Sequence, residues 1–167
     1  LGMEAYFTPD HTVKDRKLTH HLVLLAMNNK GYSNLKKMDS IAYGEDYFYF
    51  KPRIDWEVLQ KHSEGIICLS ACMASIVNTD VGEEWFQKYK SLFGDRFYAE
   101  IQPLDIDIQR EYNRKVMILA EKYNVPLVVT TDAHFTRKED APYHKLWIGI
   151  TKKDYYDSDN YLWAESD

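Results

Sequence analysis

Cysteine is scarce in this 167-residue chain: Cys68 and Cys72 are the only two, four positions apart. That spacing is neither a zinc-ribbon nor a disulfide-scaffold pattern, so cross-links do not organise the fold and a reducing compartment is expected. Long apolar runs are missing too. The longest reach only strand length, which excludes a membrane-spanning helix, and the N-terminal residues do not resemble a signal peptide. A basic excess is also lacking. Twenty-one Lys and Arg against twenty-six Asp and Glu give a net charge of −5, unlike an autonomous nucleic-acid binder. Any DNA is therefore expected to be held mainly by other domains. With seven glycines and five prolines, the chain has no low-complexity tract or evident linker. It reads as a single cytoplasmic domain over residues 1–167, long enough to bury about 70% of its unfolded surface.

Aromatic residues are abundant, with 13 Tyr, 7 Phe and 4 Trp. Strand-like segments fall at Gly2–Phe7, Leu18–Met27, Ile66–Ser70, Arg96–Gln102 and Leu127–Thr131. The second is so continuously apolar that neither face is expected to be wet. Helical spacing occupies Tyr32–Tyr43 and a short segment capped by Asp55 that runs to Lys61 and His62. Further helices are expected at Glu83–Phe93, at Asp105–Tyr123 with Tyr112, Val116, Leu119 and Ala120 on the buried stripe, and after Glu139 with Tyr143, Leu146, Trp147 and Ile150 inward. A polar, aromatic tail follows. Strands alternating with helices predict an α/β fold with a mainly parallel sheet or barrel.

The chemistry converges on Leu127-Val128-Val129-Thr130-Thr131-Asp132-Ala133-His134. This segment reads as a buried central strand, and the period of two puts Asp132 and His134 on one side of its tip. A carboxylate and an imidazole there suit a metal ion, because ligands collect at the C-terminal ends of parallel strands. A capping aspartate and a surface histidine are the plainer alternative. Glu4 interrupts an apolar run, either as a ligand or as a hydrogen-bonded rim carboxylate. His20 and His21 lie on opposite faces of one strand, so only one of them can face a shared site. Cys72 is a candidate ligand or a small buried apolar residue. As a nucleophile it needs an adjacent base, which no neighbour in sequence supplies. Ser70 lacks a nucleophile elbow. Glu100 and Gln102 share a strand face and can line the same cavity. His62 suits a helix C-terminus, while His11 and His144 read as surface residues.

Six ordered segments carry a resemblance: Gly2–Tyr6, His20–Leu35, Lys51–Asp55, Glu64–Cys72, Phe97–Gln102 and Thr130–Phe135. Together they resemble the PHP (polymerase and histidinol phosphatase) domain family, in the form carried by the bacterial replicative DNA polymerase III α subunit. The resemblance implies a distorted seven-fold β/α barrel of the PHP type, with a cluster of divalent zinc, manganese or iron ions at its strand ends. Carried over by position, Glu4, His21, Cys72, Asp132 and His134 match family metal ligands, with Asp132 and His134 closest to the chemistry. The family's opening His-x-His, and the aspartate and histidine after it, would precede Leu1, which is not an initiator Met. The barrel is thus expected to be incomplete at its N-terminus, as a piece of a longer polypeptide or a shortened, phage-borne relative. No polymerase palm is present. Two functions follow from the resemblance: metal-dependent phosphodiester hydrolysis for 3′→5′ proofreading, or a non-catalytic scaffold that stabilises the polymerase and docks a separate exonuclease.

Overall fold

Two strands near the N-terminus, β1 (Gly2–Phe7) and β2 (His20–Ala26), lie inside the sheet and orient the rest. They pair antiparallel, with Glu4 opposite Val23, Ala5 opposite Leu22, Tyr6 opposite His21 and Phe7 opposite His20. Side chains alternate along a strand, so Ala5, Phe7, His20, Leu22 and Leu24 share one face, and all are buried. Glu4, Tyr6, His21, Val23 and Leu25 share the other, which is half-buried to exposed. The apolar run of β2 predicts two covered faces, but only one is covered.

The computed structural model describes residues 1–152, a mixed α/β fold, and the predicted polar tail lies outside the described residues. The remaining strands are β3 (Arg53–Ile54), β4 (Ile66–Leu69), β5 (Phe97–Ile101) and β6 (Leu127–Val129). The helices are α1 (Asn29–Ala42), α2 (Trp56–Lys61), α3 (Gly82–Phe93), α4 (Asp107–Tyr123) and α5 (Ala141–Lys152). The strand order is β3-β1-β2-β4-β5-β6. β3 is parallel to β1, and β4, β5 and β6 are parallel in turn, whereas β2 is antiparallel to both of its neighbours. The sheet is thus mainly parallel, as expected, with β2 alone reversed. A parallel return needs a long crossover, usually helical, and the link from β1 to β2 holds only the 3-10 turn Arg16–Leu18.

α4 buries the stripe its spacing predicts, through Tyr112, Val116, Leu119 and Ala120, and α3 buries Trp85, Phe86 and Tyr89 as its spacing predicts but Phe93 in place of Leu92, which is half-buried. Phe7 meets Trp85 edge-on with centroids 5.0 Å apart, and Phe86 meets Phe97 likewise at 5.0 Å. Two expectations fail at the C-terminal end. β6 is an edge strand among the described residues, not a central one, and Leu127 and Val129 are 47% and 63% exposed. On α5, Tyr143, Leu146, Trp147 and Ile150 are exposed while Ile148 is buried, so the helix turns its predicted stripe outward.

α1 starts earlier than its apolar spacing suggests because Asn28 caps it, its Oδ1 accepting from Gly31 N at 3.0 Å. Gly31 is packed against the turn at Gly65, where φ is +73°, and a Cβ at Gly31 would lie 1.9 Å from the Gly65 carbonyl oxygen. That carbonyl also accepts from Met27 N, so it is not free to move. Gly31→Ala is therefore expected to destabilise the fold by about 1–3 kcal/mol, outweighing a helix-propensity gain of about 1 kcal/mol or less. The check is urea unfolding followed by tryptophan fluorescence, where the midpoint should fall.

Candidate functional site

Because β2 runs against β4, with Val23 opposite Leu69, the start of β2 lies beside the chain leaving β4. His21 N donates to Ala74 O there at 3.1 Å. The His21 imidazole stands on the half-open face, its Nδ1 3.2 Å from Glu4 Oε1 and 3.6 Å from Cys72 Sγ. Glu4 reaches it diagonally across the strand pair, since Glu4 and Tyr6 flank the same ladder face. Cys72 comes back toward the sheet because Ala71 is left-handed, at φ +60°. The end of β4 is tied down on both sides: Ser70 Oγ accepts from Glu100 N at 2.8 Å and Ser70 O from the Tyr112 hydroxyl at 2.8 Å. Glu4, His21 and Cys72 are thus brought together from three segments.

His21 supplies Cys72 with the adjacent base that its sequence neighbours lack. Even so, burial pushes the Cys72 thiol up to about 11, helped by the negative charges of Glu4, Asp132 and Glu100. A thiol raised in this way stays protonated at neutral pH, which argues against a cysteine nucleophile. A bound cation would offset the same charges. His20 takes the opposite face, as the period of two requires; it is buried, and burial lowers its pKa.

Asp132 and His134 do not form the predicted pair on a strand tip. β6 ends at Val129, and Asp132 is left-handed at φ +50°, so strand alternation does not extend to either residue. The Asp132 carboxylate is near enough to act on the charges of both Cys72 and Glu100. His134 Nδ1 lies 2.6 Å from the Asp132 carbonyl oxygen, and its ring is 5.7 Å from that of His144 on α5.

Glu100 is more deeply placed than its sequence position suggests. Its side chain is buried, with Oε1 accepting from the Thr130 hydroxyl and, at 3.4 Å, from Gln102 Nε2. Burial raises its pKa, opposed by those hydrogen bonds, and its Oε2 is buried without a hydrogen-bond partner among the described residues. Through Thr130, Glu100 fixes the point at which the chain leaves β6 toward Asp132. Two histidines also depart from or match their readings. His11, read as a surface residue, is an anchor whose Nδ1 lies 2.6 Å from Asp55 Oδ2 and whose ring stacks on Tyr47 at 4.0 Å. His62 is the C-cap of α2, as its position predicts. Among the described residues, no three or more His, Cys, Asp and Glu side chains form a closed group around an ion position. What the site contains is two donor pairs that share one imidazole.

The PHP domain signature matches residues 1–103. The chain is 41% identical over 170 residues to DNA polymerase III subunit alpha of Aquifex aeolicus, covering 92% of this chain and 15% of that protein. It is 38% identical over 167 residues to the same subunit of Thermus aquaticus, covering 92% and 14%. With the subunit of Treponema pallidum it shares 36% over 173 residues, covering 94% and 14%. The chain therefore spans about one seventh of the length of these relatives.

Proposed function

The chain belongs to the PHP domain family, and on that premise we propose that residues 1–167 form the PHP domain of a cytoplasmic DNA polymerase III α-type protein, where it holds divalent metal and hydrolyses phosphodiester bonds at DNA 3′ ends. In this reading the sheet is part of a distorted seven-fold barrel, and the rest of the α-type protein is its partner and holds most of the DNA. The observation that supports it best is the His21 imidazole standing 3.2 Å from a carboxylate oxygen and 3.6 Å from a sulfur. Ligands bonded at about 2.0–2.3 Å around one tetrahedral ion are separated by roughly 3.3–3.8 Å, so these spacings fit. The donor set fits as well: carboxylate, imidazole and thiolate suit zinc or iron, with manganese favoured as oxygen donors are added. Glu4, His21 and Cys72 would hold the metal, with Asp132 and His134 joining from the loop after β6.

A bound divalent ion supplies a water that is acidic enough to ionise near neutral pH and a positive charge beside the phosphate. The chain's own residues do the rest. Tyr6 stands edge-on to His21 at 5.4 Å and limits its rotation. Glu100 and Thr130 hold the exit of β6, and so set where Asp132 can reach. Protein purified without chelator is expected to contain at least about half an equivalent of zinc, manganese or iron by elemental analysis. In the His21→Ala, Cys72→Ala double variant that content should vanish while the circular dichroism spectrum is retained. Unchanged content would place the ion elsewhere and end this reading.

A second reading, a scaffold that docks a separate proofreading exonuclease, draws on the outward apolar residues of the C-terminal elements. Val129, Tyr143, Leu146, Trp147 and Ile150 are all more than 60% exposed, which is costly in water and favourable in an interface. Retention of metal by the wild-type protein, with no cleavage of DNA, would favour it.

A further inference from the structure

Beside His21 lies a cleft that the metal site does not use. Tyr6, Arg16, Thr19, Tyr49, Phe50 and Lys51 line a hollow of about 410 Å³, within the range of roughly 300–1,000 Å³ typical of small-ligand sites. Tyr6 is the shared wall, because its ring also packs against His21. The cleft thus opens alongside the Glu4, His21 and Cys72 group.

Its lining alternates rings and cations. The Arg16 guanidinium lies 3.1 Å from the Phe50 ring centroid, Lys51 Nζ 5.1 Å from that of Tyr6 and, just outside, Lys14 Nζ 5.9 Å from that of Tyr49. Among the described residues no ion pair engages Arg16 or Lys51. The nearby carboxylates are engaged locally, Asp15 accepting from Lys17 N and Asp10 from Thr12. The donors of Arg16 and Lys51 are therefore available to an anion. Phe50 adds a second signal. It is 56% exposed and sits at φ +58°, a backbone region that costs a bulky residue about 1 kcal/mol or more. Arg16 covers one side of the ring, Tyr49 meets it edge-on at 4.7 Å and a Tyr49 N to Lys51 O bond of 3.1 Å closes the turn, yet more than half of the residue stays open to solvent, and strain of this kind concentrates where a ligand is gripped.

Ring faces next to unpaired cations match one class of ligand. We propose that this cleft holds the unpaired end of a single-stranded nucleic acid, its bases stacked on Phe50 and Tyr49 and its phosphates against Arg16 and Lys51, so that the strand is led toward His21. Stacking and phosphate contact are the recurring means of gripping single strands, and a local cationic cleft is where a polyanion can approach a domain of net charge −5. The destination at His21 rests on the phosphodiesterase reading, but the grip needs no metal.

The test is photo-cross-linking of the protein at its full natural length, in EDTA, to an oligodeoxythymidine ending in 5-iodouracil, with the attachment sites mapped by mass spectrometry. Cross-links are expected at Tyr49 or Phe50. Phe50→Gly suits the left-handed backbone, so it should melt no lower than wild type, yet its cross-link yield at sub-saturating oligonucleotide should fall roughly tenfold or more. The Arg16→Gln, Lys51→Gln double variant removes two phosphate contacts and should reduce the slope of log affinity against log salt, read from those yields, by about 1.4. A uridine oligoribonucleotide run in parallel identifies the preferred sugar, and cross-linking of either strand at these residues supports the proposal. Cross-links confined to residues outside 6–51, or a yield unchanged in Phe50→Gly, would overturn it. Because chelator is present throughout, loss of the metal reading leaves this outcome unaffected.

Discussion

Asp132→Asn, in the protein at its full natural length, is expected to lower manganese-dependent cleavage of a 3′-mismatched primer by at least about 10²-fold. Asparagine keeps the shape of the side chain and removes the charge that would help hold a cation. The same substitution should not weaken the fold. Asp132 adds its negative charge to those around Cys72 and Glu100, so neutralising it relieves repulsion wherever no metal is bound. Activity and stability are thus predicted to move separately: the rate falls by two orders of magnitude or more while the melting temperature in EDTA holds or rises. A variant that lost both would mark Asp132 as structural. Cleavage equal to wild type would remove the loop after β6 from the chemistry and leave the docking scaffold as the better reading.

The largest stability loss is expected at Arg53. Its side chain is fully buried on β3, with Nη2 donating to His11 O at 2.9 Å, Nη1 to Val13 O at 3.1 Å and Nε to Tyr47 O at 3.3 Å. One planar guanidinium therefore holds two segments, residues 11–13 and the aromatic stretch that begins at Tyr47. Burial lowers its pKa, with the Tyr49 side chain opposing the shift. Arg53→Met fills much of the volume but leaves three carbonyl oxygens without their charged donor, at a cost of about 4 kcal/mol. For a domain of this size that corresponds to a fall on the order of 10 °C in melting temperature, readable by calorimetry. Arg53→Lys keeps the charge but not the fork, and is expected to recover less than half of the loss. A melting temperature within about 2 °C of wild type in Arg53→Met would show that the carbonyls find water or other donors.

Much of the local structure was legible from neighbouring residues. Asp55 ahead of Trp56 announced a capped helix, and its Oδ1 does accept from Val58 N at 3.0 Å. The stripe of Tyr112, Val116, Leu119 and Ala120 named the buried face of α4, and strand alternation separated His20 from His21. The six ordered segments pointed to the PHP family, which the signature over residues 1–103 bears out. Each of these signals acts within a turn of helix or a few residues of strand, or is carried by residue order itself.

What the tertiary structure alone decided lies at longer range. The reversal of β2 brings His21 to Cys72 across 51 positions in sequence; the link from β1 allows that reversal, but the pairing of β2 with β4 is set only in the assembled sheet. The run Leu127–Val129 is as apolar as a central strand, yet among the described residues it takes an edge, because burial depends on what else covers a surface and not only on what the surface is made of. The left-handed backbone at Asp132 likewise ended the alternation that would have paired it with His134. Arg16 comes from one segment and Tyr49, Phe50 and Lys51 from another, and only their packing around Tyr6 turns scattered rings and charges into a cleft. Local free energies of about 1 kcal/mol or less per residue choose helix, strand and cap, whereas the assembly of a site depends on contacts between segments whose meeting those preferences do not specify.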